Sequence, residues 1–335
     1  MKKIIIAALA VVAMVSCTKD QSSQGDTPST EPQAIKFTSG IQSRVDGNLW
    51  EAGDKVGIFA AYPIDYETFG QFHYPLSVYS ADSAGSSTRL SIDEGYDALT
   101  VGDNHDSDRN PLFVMAVYPA SCVYFDTTQE YDLYSYKLDV TDQSDLGALD
   151  VVSATAIVSD ESTTEVSLSF EHTMAMATFN VVAKDSASSL EGARFEIEDI
   201  AIVSDPTGTI SWSDYPAEYG TLQGEVSVAD DARSATTTMM LFATAEYEGD
   251  TSYTYEKTDA TIKLYVGDEI YVTAFAAPLF LGYKHTFNLS LGTDSIDFEG
   301  ATIWAWDDSD DVITELPLSK EDNDTTITIT AGLPE

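Results

Sequence analysis

The chain has 335 residues, of which 56 are acidic and 16 are Lys or Arg, giving a formal net charge of −40. Its 43% apolar content excludes wholesale disorder, and the length suffices for two domains with a core each. The charge excludes a nucleic-acid binder, which needs clustered Lys and Arg, and two cysteines exclude a disulfide framework or paired-CxxC zinc sites.

At the start of the chain, Lys2-Lys3 precede the apolar run Ile4–Val15, the charged and hydrophobic parts of a secretory leader and too short to span a bilayer comfortably. The run ends Met14-Val15-Ser16-Cys17, which resembles the lipobox at which bacterial lipoproteins are cleaved and acylated. That resemblance implies a signal peptide over 1–16, Cys17 as the lipidated N-terminus, and anchoring in the outer membrane. Acyl chains contribute about 0.8 kcal/mol per buried methylene, so several on one cysteine hold without a spanning helix. The plainer alternative is an ordinary signal peptide with an incidental cysteine. Loss of Lys2 and Lys3 takes the charge to −42. Residues 17–33, rich in Ser, Thr, Gln, Pro and acids, read as a flexible tether. Within it, Lys19-Asp20 resembles the charged signal that sends some lipoproteins to the outer face.

From residue 34 onward alternation with period two dominates, which predicts half-buried strands. Leu112–Tyr118, Tyr134–Val140, Val166-Leu168-Phe170, Phe195–Val203, Thr237–Thr244, Ile262-Leu264-Val266, Glu269–Phe275, 283–291 and Thr325–Thr330 all fit. Turn-forming DPTG (205–208) and LGTD (291–294) punctuate them. No long window has helical periodicity and no repeat of fixed period is visible. These patterns predict an all-β chain of two sandwiches, 34–165 and 166–335, divided where SDESTTE (159–165) separates two apolar regions.

Chemistry-bearing constellations are weak. Carboxylate pairs for glycoside hydrolysis are easy to find among 56 acids, and chance pairing accounts for them. GDNHDSDRN (102–110) alternates oxygen ligands but lacks the spacing of a calcium loop, and DDSDD (307–311) reads as an exposed acidic loop. Four histidines, His73, His105, His172 and His285, are spread too widely for a His-rich metal site. No GxSxG and no phosphate-cradling glycine loop occurs. Cys122 reads as a buried, inert thiol at a strand end, and His172, between apolar segments, as a core or inter-domain histidine with a satisfied ring. The expectation is therefore no catalysis, no metal and no cofactor.

One stretch is more specific. AIKFTSGIQSRVDGNLWEAGDKVGIFA (34–60) holds Arg44 after a strand, then Trp50, Gly53, Asp54, Val56, Gly57, Ile58 and Phe59 as W-x-x-G-D-x-V-G-I-F. This resembles the N-terminal signature of fimbrillin-family, or Mfa-like, proteins. VSLSFEHTMAMATFNVV (166–182), with His172, then LGYKHTFNLSLG (281–292) and ATIWAWDDSDD (301–311) follow in the family's order. Physically, Gly53-Asp54 makes a turn, Val56, Ile58 and Ala60 face one side, and Trp50 covers an open end.

The resemblance implies two transthyretin-like β-sandwich domains, exported as a surface-exposed lipoprotein and built into type V pili. It also implies maturation by an arginine-specific protease at Arg44–Val45, removing the strand Ala34–Ile41 and opening a groove for another subunit's extended segment. The donor is then 325–332, where Ile327 and Ile329 alternate with threonine; the alternative is that this segment completes its own domain. Implied partners are other pilus subunits, the protease, and a host or bacterial surface ligand. A second functional reading is a monomeric cell-surface glycan-binding lipoprotein, with aromatics such as those of YFDTTQEYDLYSY (124–136) stacking on sugars.

Overall fold

A computed structural model of the protein describes residues 33–41, 50–61, 63–65, 68–69, 74–101, 112–126, 133–158, 164–184, 189–204, 217–244, 260–275, 277, 279–293, 295–305 and 312–316. It is all-β, as expected: among these residues the sole helical element is a single 3₁₀ turn at Ala120–Cys122.

Seven strands close into a ring. They are β1 (Lys36–Ile41), β2 (Lys55–Ala61), β3 (Tyr74–Ala81), β4 (Ser87–Ile92), β5 (Leu112–Tyr118), β6 (Val152–Val158) and β7 (Glu165–His172). Their order around the ring is β6-β7-β1-β4-β3-β2-β5, and β5 returns to β6. Every pair is antiparallel except β7 and β1, which run parallel from Glu165 opposite Lys36 to Phe170 opposite Ile41. The period-two pattern explains the burial: on β7, Val166, Leu168 and Phe170 are buried between exposed Glu165, Ser167, Ser169 and Glu171. The ring is unevenly sewn. β6 and β7 pair at only two positions, Val152 with His172 and Ser153 with Glu171, whereas β5 and β6 pair at seven.

Ten further strands make two facing sheets. They are β8 (Met174–Ala183), β9 (Arg194–Ser204), β10 (Glu218–Gly224), β11 (Val226–Val228), β12 (Ser234–Phe242), β13 (Ala260–Val266), β14 (Glu269–Phe275), β15 (Tyr283–Leu291), β16 (Ile296–Ala305) and β17 (Val312–Leu316). One sheet runs β10-β9-β13-β14, the other β11-β12-β8-β15-β16-β17, with β8 and β15 parallel. Phe179 sits at the centre of the core between them, its ring centroid 4.8 Å from Phe195, 5.5 Å from Phe275 and 5.1 Å from Phe287. Each of these four side chains is almost fully buried, which contributes about 1.5–3 kcal/mol apiece.

The two bodies do not divide at the expected 165/166 boundary. SDESTTE lies between β6 and β7, so this polar stretch connects two neighbours of the ring, and β7 belongs with the first body. The chain crosses into the second body at Thr173, whose N–H and hydroxyl both donate to the Val151 carbonyl. Earlier, Leu138-Asp139 pairs with Val203-Ser204 of β9, so the chain reaches the second body and returns before β6. Gln143 holds that excursion in place: its amide donates to the Val140 and Met240 carbonyls, and its side-chain oxygen accepts the Met240 N–H at 2.8 Å.

Candidate functional site

The site is assembled around β1. Pairing begins ahead of it, with Gln33 and Ala34 opposite Val101 and Thr100, and β1 is then flanked on both sides by β4 and β7. Ile35, Phe37, Ser39 and Ile41 point into the ring and are buried. Phe37 meets Tyr79 edge to face at 5.3 Å, and the Tyr79 hydroxyl accepts the Leu99 N–H at 3.0 Å. Burial pushes the Tyr79 phenol above its ordinary pKa, so it stays neutral. The Leu99 carbonyl in turn accepts the Ile35 N–H at 2.8 Å. Three large side chains buried at about 1.5–3 kcal/mol each hold the strand by roughly 5–9 kcal/mol, on the scale of a whole domain's net stability.

The residues from Trp50 to Phe59 form the cap and wall beside it. Trp50 is 1% exposed and meets Tyr118 and Phe170 edge to face at 5.3 and 5.1 Å. Its backbone makes a two-way bridge with Gly85. Gly53 has φ +94°, a conformation that favours glycine, and its N–H donates to the Ala81 carbonyl. Asp54 closes the turn: one carboxylate oxygen accepts the Glu51 N–H at 2.9 Å, the other the Tyr118 hydroxyl at 3.2 Å. Along β2, Val56, Ile58 and Ala60 enter the ring's core, as the alternation predicts. Gly57 and Phe59 face the other way. A Cβ on Gly57 would stand 3.1 Å from Leu76 and 3.3 Å from Val123, and Phe59 packs into the second body's core. The signature thus packs into two cores at once, through a turn, a close approach and one outward aromatic.

His172 lies at the end of β7, buried, with Nδ1 2.7 Å from a carboxylate oxygen of the fully buried Asp150. The sequence reads it as a core or inter-domain histidine, and the structure gives its Nδ1 a buried carboxylate partner. Asp150 was not readable as its partner, because the two are 22 positions apart and nothing local marks an acid as buried. Cys122 is also buried, its thiol pushed up to about 12 by burial, which leaves it inert at neutral pH. His285, fully buried between Phe280 and Phe287, accepts the Phe280 N–H at Nε2 and is pushed down to about 4 by burial. No group of three or more His, Cys, Asp or Glu among the described residues is arranged to hold a metal ion.

Cys17, Arg44, Val45, Ile327 and Ile329, with the leader, most of the tether, and the segments 102–110, 307–311 and 325–332, lie outside the described residues. Of YFDTTQEYDLYSY, residues 124–126 and 133–136 pair as antiparallel strands.

The profile of the fimbrillin-like family matches residues 43–306, most of the chain. No curated sequence matches it. Two solved structures share the fold: a candidate cell adhesion protein from Bacteroides uniformis, at 13% identity and TM-score 0.51 over 84% of this chain and 100% of that one, and another from Bacteroides ovatus, at 15% and 0.51 over 82% and 98%. A fimbrial assembly protein from Parabacteroides distasonis is also similar, at 11% identity and TM-score 0.48, over 85% of this chain and 100% of that one.

Proposed function

Because the chain belongs to the fimbrillin-like family, we propose that it is a structural or accessory subunit of a cell-surface pilus of the type V class, contributing to adhesion. In this reading it is exported as a lipoprotein on Cys17, cut by an arginine-specific protease after Arg44, and joined to other subunits by strand exchange. The supporting observation is the position of β1: a strand at the start of the folded body, flanked on both sides, with its inward side chains filling the ring, and followed three residues later by the first arginine of the chain. Withdrawal of such a strand exposes two rows of backbone donors and acceptors above apolar pockets, which is a template for another chain's extended segment.

A feature of the sequence supports the C-terminal segment as donor. The inward positions of the leading strand are Ile35, Phe37, Ser39 and Ile41: large, large, small, large. Residues 327, 329, 331 and 333 are Ile, Ile, Ala and Leu, the same order of sizes at the same spacing. A strand read at period two presents these four side chains to one face.

The test treats the soluble precursor, without its leader and with Cys17→Ser, with an arginine-specific protease. The expected result is a new N-terminus at Val45 and a ladder of oligomers that collapses on heating, both absent in Arg44→Ala. No cleavage at Arg44, with saturable sugar binding by an intact monomer, would overturn the reading in favour of a glycan-binding lipoprotein.

A further inference from the structure

The sheet β10-β9-β13-β14 ends at β14, whose only ladder among the described residues is with β13. Native edge strands are ordinarily blunted by charge, proline, bulges or shortness, because an open row of N–H and C=O groups invites another strand. β14, with sequence EIYVTAF, has seven residues, no proline, a ladder to β13 without a register shift, and a single charge at its first position. Ile270 and Val272 are 56% and 55% exposed on its outer face, with Ala274 exposed beside them.

The charges beside this stripe are already paired with one another. Opposite Ile270 stands Tyr265, which carries Arg194 over its ring at 4.4 Å and donates its hydroxyl to Glu196 at 2.7 Å. Opposite Val272 stands Lys263, paired with Glu198 at 2.6 Å. The charges of β9 and β13 therefore satisfy one another, leaving an uncharged apolar strip on a chain of net charge −40.

We infer that Glu269–Phe275 is a contact strand for a second copy of the chain, the two strands pairing antiparallel about a two-fold axis at Val272. The occupant follows from the strand's own composition. In that register all seven residues are paired, Ile270 faces Ala274 of the partner, large against small, and Val272 faces its own copy. The acidic residues, which oppose association everywhere else, are kept apart here: Glu269 lies opposite the partner's Phe275, so the two Glu269 carboxylates are about 20 Å apart along the strand, beyond the Debye length of about 8 Å at physiological salt. Pairing extends the sheet across both copies and brings the two exposed stripes into lateral contact, Val272 beside Val272 and Ile270 beside Ala274. This contact is separate from β1 and needs no cleavage at Arg44.

The test uses the chain without its leader, carrying Cys17→Ser and Arg44→Ala so that strand exchange cannot contribute. Sedimentation is expected to show a monomer–dimer equilibrium that tightens about tenfold or more as salt rises from roughly 0.05 to 0.5 M, because screening relieves repulsion between anionic copies. Val272→Lys, at an exposed position, should abolish the dimer with its circular dichroism and melting temperature unchanged. In the same background Val272→Cys should form an intermolecular disulfide under mild oxidation, since paired antiparallel Cα atoms lie about 4.5–5.5 Å apart. Ile270→Cys should not, because its copies are four residues out of register, about 13 Å. A monomer at high salt and at the highest soluble concentration, a dimer indifferent to Val272→Lys, or equal cross-linking at 270 and 272 would each overturn the inference.

Discussion

Truncating Phe37 to Ala separates what holds the first strand from what holds the rest of the protein. Phe37 has no exposed surface, stands opposite Leu90 on β4 and Val166 on β7, and meets the Tyr79 ring edge to face at 5.3 Å. Losing the buried ring forfeits about 2–3 kcal/mol of transfer energy and about 0.5–1.5 kcal/mol of aromatic geometry, and leaves a cavity in the ring's core. The expected cost to the uncleaved chain is therefore about 3–5 kcal/mol, read by urea denaturation at pH 7. The informative comparison comes after cleavage at Arg44 and displacement of the strand by a synthetic peptide spanning residues 325–333. Phe37 has then left with the strand, so wild type and Phe37→Ala become the same molecule with the same midpoint. The displacement itself should run roughly a hundredfold faster in the variant, since about 3 kcal/mol of retention is gone. A loss below 1 kcal/mol in the uncleaved chain, or a difference that persists after displacement, would refute this account of β1.

Three further changes probe the joint and the second core. His285→Phe should flatten the pH dependence of stability between pH 7 and 5: with the folded imidazole near 4 and an unfolded value near 6.5, the unfolded chain binds the extra proton, so stability is full above about 6.5 and falls by about 2 kcal/mol by pH 5 in the wild type. Carboxylates such as Asp139, held below their ordinary pKa by the Thr141 hydroxyl and N–H, lose their contribution only at lower pH, so urea titrations at pH 7 and 5 isolate the histidine. Gly57→Val should cost about 1–3 kcal/mol, because its Cβ already crowds Leu76 and Val123, and thermal unfolding compared with Gly57→Ala checks the size dependence. Gln143→Ala should cost about 1–3 kcal/mol and speed hydrogen exchange at Met240, whose buried N–H loses its acceptor.

Much of the strand content was legible because half-buried strands carry their own period. Leu112–Tyr118, Glu269–Phe275 and Tyr283–Leu291 match their expected limits, and Val56, Ile58 and Ala60 turn inward together. Strands at Tyr74–Ala81, Ser87–Ile92, Val152–Val158 and Glu218–Gly224 were not picked out. In STRLSI the one large inward side chain is Leu90, which is too sparse a pattern to stand out. On β3 apolar residues occur at adjacent positions, which blurs the period. Ring closure was beyond reach for another reason: β1 and β7 are about 129 positions apart, and no local preference encodes a parallel partner at that distance. The body boundary was misleading because SDESTTE has a linker's composition while joining two strands of one ring. Of the candidate site, the turn at Gly53-Asp54 was readable, whereas the rings that bury Trp50, Tyr118 and Phe170, and the partners Asp150 and the Tyr118 hydroxyl, are all reached through folding and were not.

Both neighbours of β1 are only lightly tied to the rest of the ring: β7 meets β6 at two positions and β4 meets β3 at three. β1 itself pairs β7 at six positions and β4 at four, so the strand that enters first in the chain is the staple that keeps this side of the ring shut. If strands are exchanged as proposed above, an incoming segment would have to rebuild both ladders, and selection among segments would be decided by how many of those pairs each completes before it leaves.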